Sequence, residues 1–417
     1  VRRYCDNRPM VARPPSTIYQ IKKFARRNKG LVGGVAAVFV VLVAGVIIST
    51  GQAIRATQAE QLARESLAEA EATVGFLDNM LGAVDPGAMG KDVTVRAVLD
   101  QSAKSIDTEF SDRPLVAARL HATIGRTYIG LGLLEEAEPH IRTLLETRRS
   151  LLGNLHPDTL AAETMFAQIR YERGEFDELE TALPELIELQ TRTLGAEHQT
   201  TLDSINHLSM MYYDQGRLEE SEPLMQRLLD VALRTHGDES SEALNAWNSL
   251  GMLYMDSGRT SEAEEIYEHA IPIAQRLLGP ESPNTLQMQS NFSQVYYMDE
   301  RFQESADLAE RVLEAQMRVL GDRHPVTSNT QNNLAIAYKK LGMFDRARAM
   351  YVENLATSID VLGPDHPDTA IVYTNLGNVL INMERYDEAL GYLEGSEAAA
   401  GGPGASPGRA TNSSSRP

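Results

Sequence analysis

The 417-residue sequence contains one cysteine, one tryptophan and only 6% aromatic residues. With Cys5 as its single thiol, the chain has neither an internal disulfide framework nor a metal site built from several thiolates. Catalytic signatures are missing as well: there is no Walker A loop, no His-Glu-x-x-His motif, and no His-Arg-Asp or Asp-Phe-Gly motif. The sequence therefore predicts a chain that is not itself an enzyme and that uses no cofactor or metal.

Basic residues are scarce outside the first 30 positions. The net charge is −19, from 39 Lys and Arg residues against 58 Asp and Glu residues. Residues 1–30 carry nine basic residues and one acid, so the other 387 residues carry a net charge of −27. Because a surface this acidic repels phosphate, we expect no nucleic-acid binding by the bulk of the chain.

One segment, from Gly30 to Ile54, has no charged residue. As a helix its 25 residues would span about 37 Å, enough for the ~30 Å hydrocarbon core of a bilayer. The sequence therefore predicts a transmembrane helix over 30–54 in contact with lipid; a buried core helix and a cleaved signal peptide are the alternatives. Basic residues precede the segment, so the positive-inside rule places 1–29 in the cytoplasm and the following chain in the periplasm or outside the cell.

Glycine recurs every 42 residues in two columns. The first column comprises Gly153, Gly195, Gly237, Gly279, Gly321 and Gly363. The second column comprises Gly132, Gly174, Gly216, Gly258 and Gly342, with Glu300 and Glu384 as substitutes. A fixed period of about 20–50 residues is typical of a solenoid of stacked units.

Each period is predicted to form two helices. In one period, apolar residues recur at helical spacing, namely Leu202, Ile205, Leu208 and Tyr212. Gly216 then ends this helix as a left-handed residue would, and a second amphipathic stretch runs over 218–233. Three residues after the first glycine column lie His156, His198, His324 and His366. Because these histidines belong to separate periods, we interpret them as turn caps rather than as metal ligands.

A family resemblance follows from five positions of one period: Leu208, Ser209, Tyr212, Gly216 and Ser221. They resemble the tetratricopeptide repeat signature, and the period of 42 with Leu-Gly-x-x-His-Pro turns is similar to the kinesin-light-chain type. The resemblance implies an all-α solenoid of about seven 42-residue helix-turn-helix units over 112–397, preceded by the single transmembrane helix. The last unit is expected to lack half of its second helix, and the Gly- and Ser-rich residues 398–417 are expected to be a disordered tail.

Residues 1–111 resemble a second family. The stretch Arg8–Thr17, followed by basic residues and the apolar segment, resembles the part of bacterial membrane-bound serine/threonine protein kinases that follows the kinase domain. This resemblance, together with Val at position 1, implies a catalytic domain upstream; the alternative is a stand-alone, non-enzymatic membrane scaffold. Residues 55–111 are predicted to be a helical stalk. Its apolar spacing from Ala63 to Leu81 suits either a homodimer or packing on the first repeat.

The repeat resemblance also implies a binding function, because tetratricopeptide arrays bind protein or peptide ligands in a groove lined by their first helices. One expected groove column is Thr164, Asn206, Asn248, Ser290, Asn332 and Thr374, and the next is Gln168, Met210, Met252, Gln294, Ile336 and Asn378. Amides can donate to and accept from a peptide backbone, and methionine adapts to varied side chains. The alternative is that these positions are merely solvated. The preferred candidates are Asn206, Asn248, Asn332, Gln168, Met210, Met252, Gln294 and Asn378.

Overall fold

A computed structural model describes residues 16–30, 34, 74–76 and 94–400 of the chain. The regular elements in these ranges are α-helices, as predicted from the sequence. The chain divides into two compact units, residues 1–120 and residues 121–417.

The unit formed by residues 1–120 contains α1 (Thr17–Arg27) and α2 (Val95–Glu109). α2 forms the last part of the predicted helical stalk over 55–111. It begins after Thr94, whose hydroxyl accepts a hydrogen bond from the backbone N–H of Ala97 in the first turn. After α2, the ring of Phe110 packs edge-on against Phe76 with the ring centroids 6.1 Å apart. The rest of the predicted stalk, and with it the spacing that suggested a homodimer, lies outside the described residues apart from 74–76.

Seven helix pairs follow one another between residues 114 and 400. The first helices of the pairs are α3 (Pro114–Gly130), α5 (Pro157–Glu172), α7 (Gln199–Asp214), α9 (Ser241–Asp256), α11 (Pro283–Met298), α13 (Pro325–Lys340) and α15 (Pro367–Asn382). The second helices are α4 (Leu134–Leu152), α6 (Phe176–Thr193), α8 (Leu218–Thr235), α10 (Thr260–Leu277), α12 (Phe302–Val319), α14 (Phe344–Leu362) and α16 (Tyr386–Ala400). The predicted helix-turn-helix solenoid is thus confirmed.

The histidine column caps the first helices, which confirms the predicted role. In each case Nδ1 accepts a hydrogen bond from the backbone N–H two residues later, at 3.1–3.3 Å, and the four caps are His156, His198, His324 and His366. Two periods have serine at this position. Ser240 caps α9 by accepting from the Ala243 N–H at 3.1 Å, whereas the Ser282 side chain makes no capping hydrogen bond to α11. Within residues 16–30, 34, 74–76 and 94–400, no group of three or more potential ligands could hold a metal ion.

The second glycine column ends the first helices in the left-handed conformation. Its glycines have φ between 72° and 74°. Glu300 (φ 61°) and Glu384 (φ 59°), which replace glycine in this column, adopt the same conformation despite their side chains. Position in the repeat therefore sets the backbone here, even where the residue is unfavourable.

Small residues let the two helices of a pair approach closely. A Cβ added to Gly251 of α9 would lie 2.7 Å from the Tyr267 ring of α10. In α7 and α8, the Ser221 hydroxyl donates to the Ser209 carbonyl at 2.7 Å. The serine contact joins positions 12 residues apart across the turn, and the Gly251 contact joins positions 16 residues apart.

The predicted membrane segment requires a correction. Residues 30–54 lie outside the described residues except for Gly30 and Gly34. None of the helices in the described ranges is long and apolar enough to cross a bilayer. The longest of these helices are second helices of the pairs. They are not apolar enough because they carry charged residues along their exposed side, as α12 does. For the part of the chain that the structure describes, a single-pass membrane localisation with lipid contact is therefore wrong.

The last unit is more complete than the sequence indicated. α16 has 15 residues, against 18 in α12, and it continues to Ala400, three residues beyond the expected boundary at 397. Half a helix is therefore not missing. The predicted tail lies outside the described residues from 401 onward.

Candidate peptide-binding face

The first helices of successive units are tied to one another by side-chain hydrogen bonds. Each bond joins residues 43 positions apart: Tyr171 Oη to Asp214 Oδ2 (2.8 Å), Asn291 Nδ2 to Asn248 Oδ1 (3.1 Å), and Asn375 Nδ2 to Asn332 Oδ1 (3.0 Å). Tyr213 bonds to Asp256 in the same way. We call the side of α5, α7, α9, α11, α13 and α15 that carries the two predicted groove columns the first-helix face.

Two members of the first column are internal. Thr164 is 5% exposed, and its hydroxyl lies 2.9 Å from that of Ser204 in the next unit and accepts from Gln190 Nε2 at 2.8 Å. Ser290 is 3% exposed and lies 2.8 Å from the Thr330 hydroxyl. These side chains hold adjacent units together and do not face a ligand.

The three asparagines of the same column differ in availability. Asn206 is exposed, and its side chain has no hydrogen-bond partner among the described residues. Asn248 and Asn332 are half-buried, and their Oδ1 atoms accept from Asn291 and Asn375. Asn248 Nδ2 also donates to Met252 Sδ at 3.5 Å. The structure therefore leaves one N–H of Asn248, the Nδ2–H donors of Asn332 and the whole amide of Asn206 for a ligand.

The second column is equally mixed. Gln168, Met210 and Gln294 are half-buried, and Asn378 is exposed. The Gln294 Nε2 is buried without a partner. Met252 is only 5% exposed and packs in a core cluster, so the structure places it in the interior rather than on the open face.

A third column, at the ends of the first helices, was not singled out from the sequence. It reads Glu172, Asp214, Asp256, Met298, Lys340 and Asn382. The charge therefore changes sign along the array, from acidic at α5–α9 to basic at α13, where Lys339 adjoins Lys340. Burial raises the pKa of the Asp256 carboxyl and lowers that of the Lys339 ammonium. The 42-residue spacing of these positions, read together with their charge, is the sequence signal that marks this column.

His207 is the titratable group most strongly perturbed on α7. Its ring stacks on Tyr171 of the preceding unit with the centroids 6.2 Å apart, and its Nδ1 is buried without a partner. Burial lowers the pKa of His207 to about 4, so the imidazole is neutral near pH 7.

An arginine column fixes the turns beneath the first-helix face. Each guanidinium stacks on the tyrosine five residues earlier, at 4.3 Å for Arg217 on Tyr212 and 4.1 Å for both Arg259 on Tyr254 and Arg301 on Tyr296. Each also pairs with a glutamate of the preceding second helix at 2.6–2.8 Å, namely Glu180, Glu222 and Glu264. The hydrogen bonds from Arg301 lower the pKa of the Glu304 carboxyl. Aromatic stacking and two carboxylates thus orient each arginine between adjacent units.

Helix pairs of constant length, small residues where the helices cross and left-handed turn residues together define a helical-repeat solenoid. Sequence models of the tetratricopeptide repeat match residues 122–158 and the overlapping segments 161–234, 201–270, 242–318, 299–356 and 327–400. These segments cover more than half of the chain, which therefore belongs to the tetratricopeptide repeat family. No curated protein matches the chain.

Several solved structures are similar to parts of this chain. A kinesin light chain protein of Podosopora anserina with nearly identical tetratricopeptide-like repeats is 26% identical, with a TM-score of 0.43 over 48% of this chain and 94% of that one. BtubC (BKLC) from P. vanneervenii is 21% identical, with a TM-score of 0.46 over 58% and 96%. A signal transduction ATPase with a tetratricopeptide repeat sensor from Pyrococcus horikoshii is 15% identical, with a TM-score of 0.52 over 78% and 52%.

Proposed function

We propose that the repeat array is a protein–protein interaction module that binds an extended peptide along the first-helix face. The observation that carries the proposal is the exposed amide of Asn206, aligned by the repeat with the half-used amides of Asn248 and Asn332. Hydrogen bonds from the next first helix hold the side chains of Asn248 and Asn332 in place, so these two require little ordering when a ligand binds.

The available atoms indicate which peptide groups would be recognised. Asn248 and Asn332 use Oδ1 within the array, so they offer N–H donors to carbonyl oxygens of a peptide backbone. Asn206 can both donate and accept. Exposed Asn378 belongs to the second column and adds an amide in the next unit, one helical turn beyond the position of Thr374. Binding of this kind reads backbone more than side chains, which suits ligands of varied sequence.

The change of charge along the face favours one direction of binding. Acidic Asp214 and Asp256 would attract a basic residue, and Lys340 would attract an acidic one. Helices in contact lie about 10 Å apart, so α9 and α13, two units apart, are separated by about 20 Å. At ~3.3 Å per extended residue, the basic and acidic residues of a fitting peptide would be about six positions apart.

The link to a serine/threonine kinase remains a prediction, as does the homodimer. Both rest on residues 1–111, of which the structure describes 16–30, 34, 74–76 and 94–111. The coding sequence before Val1 tests the first, and sedimentation equilibrium tests the second. A non-enzymatic scaffold is the alternative if no kinase is encoded there.

The test of peptide binding uses a matched pair of variants. Peptides selected from a random library on the full chain are titrated into Asn206→Ala/Asn248→Ala/Asn332→Ala. We expect affinity to fall at least about tenfold. The control is Asn291→Ala/Asn375→Ala, which breaks the same two inter-helix hydrogen bonds from the other side and leaves the groove column intact. Equal loss of affinity in the control would show that the column is structural and would refute the proposal.

A further inference from the structure

A cleft of about 400 Å³ opens between the second helices α10 and α12, with α11 as its floor. Phe292 of α11 and Leu308 of α12 supply apolar surface, and Glu268, Asp307 and Arg311 stand at the rim. Phe292 lies on the opposite side of α11 from the first-helix face, as its helical spacing from Gln287 and Gln294 requires. The cleft is therefore separate from the proposed peptide site and does not depend on it.

The preceding unit shows which kind of side chain fills the space equivalent to this cleft. One period earlier, Trp247 stands at the position of Gln289, and His269 stands at that of Arg311. The Trp247 ring lies edge-on to His269 with the centroids 5.4 Å apart, and its Nε1 donates to Asp238 at 3.4 Å. It also packs against the core clusters of α9 and α10. An indole thus fills the junction in that unit.

In the next unit the surrounding residues stay apolar, but the aromatic ring is absent. Gln289, at the Trp247 position, lines the cleft and leaves its apolar floor open. Leu308 replaces Ile266 and Phe292 replaces Leu250, so the surface that contacts the ring in the earlier unit stays apolar. Arg311 can stack on an inserted ring, as a guanidinium commonly does.

We propose that this cleft binds a tryptophan-like aromatic side chain of a partner protein, flanked by a basic residue. The ring would occupy the space that Trp247 fills one unit earlier. The basic neighbour would be attracted by Glu268, which is exposed, and by Asp307; the third acid at the rim, Glu304, is already engaged by Arg301. A partner could use this cleft while a peptide occupies the first-helix face.

The test uses a substitution that places a tryptophan side chain of the protein itself in the cleft. The probe is the tripeptide amide N-acetyl-Lys-(fluorotryptophan)-Lys, titrated into the full chain and observed by fluorine NMR. We expect saturable binding with a Kd at or below about 1 mM, and at least a tenfold loss in Gln289→Trp, about 1.4 kcal/mol. The control, Gln287→Trp, adds the same ring on the other side of α11 and should bind the probe normally.

A second variant keeps the proposal testable if Gln289→Trp does not fold. Glu268→Lys alters an exposed side chain. It should lower the affinity for the fluorinated probe several-fold without changing the helix content of the protein. The serine probe, N-acetyl-Lys-Ser-Lys amide without fluorine, should not bind and therefore should not displace the fluorinated probe. Undiminished binding by folded Gln289→Trp or by Glu268→Lys would overturn the proposal, as would equal binding of the serine probe or no saturable binding by the unaltered chain.

Discussion

Replacing Glu300 by glycine should stabilise the array although it removes a side chain. Glu300 has φ 61° at a turn where most units have glycine. Its N–H donates to the Tyr297 carbonyl at 3.1 Å, matching the 2.9 Å bond from Gly216 to Tyr213 in the glycine-containing turn. The two turns therefore have the same hydrogen bonding, and only the Cβ differs.

The magnitude follows from two opposing terms. A non-glycine residue in the left-handed region costs about 1–2 kcal/mol, and glycine loses roughly 0.5–1 kcal/mol more backbone entropy on folding. The Glu300 side chain is exposed and makes no ion pair among the described residues, so no contact is lost. We expect Glu300→Gly to raise the free energy of unfolding by about 0.5–1 kcal/mol.

Amide hydrogen exchange in α11 and α12 is the suitable assay, because repeat arrays unfold in parts rather than in one step. Glu384→Gly, at a turn residue with φ 59°, should also slow amide exchange in the helices on either side of its turn. Gly216→Glu is the reverse control and should accelerate exchange in α7 and α8. The reasoning is refuted if Glu300→Gly exchanges faster than the unaltered chain, or if Gly216→Glu has no effect.

Two further predictions concern buried polar groups. The pKa of His207 is lowered from 6.5 to about 4, so the unfolded chain binds a proton first as the pH falls. Stability should therefore decline between about pH 6.5 and about pH 4, and a melting series should show a flatter pH dependence for His207→Gln. Both amide atoms of Gln316 are buried without a partner, so Gln316→Leu should raise the free energy of unfolding by about 1 kcal/mol in urea titrations. Gln190→Leu should lower it, because Gln190 donates to Thr164.

The candidate face was predictable only in part. Helical spacing placed Asn206 on the exposed side of α7, and the structure leaves it there. The same spacing grouped it with Thr164, Ser290 and Met252, which are buried. Periodicity reports the direction in which a side chain points from its own helix. It carries no information on how closely the next unit approaches, and that distance decides whether the position meets solvent or a neighbour.

The amino-acid sequence by itself determined the helix pairs, their caps and their turns, because these depend on residues only a few positions apart. His198 caps its own helix, and Gly216 adopts the left-handed turn without the steric cost that a Cβ imposes on Glu300 and Glu384 in the same column. The tertiary structure alone decided which amides form hydrogen bonds to the next unit, and at which contacts between units a side chain fills the space between the helices. The hydrogen-bonded pair Asn248 and Asn291 are 43 residues apart in the sequence. The cleft at Gln289 exists because three helices surround a side chain that does not fill the space between them. Such features arise from contacts between units, whose geometry depends on the packing of every side chain at the junction.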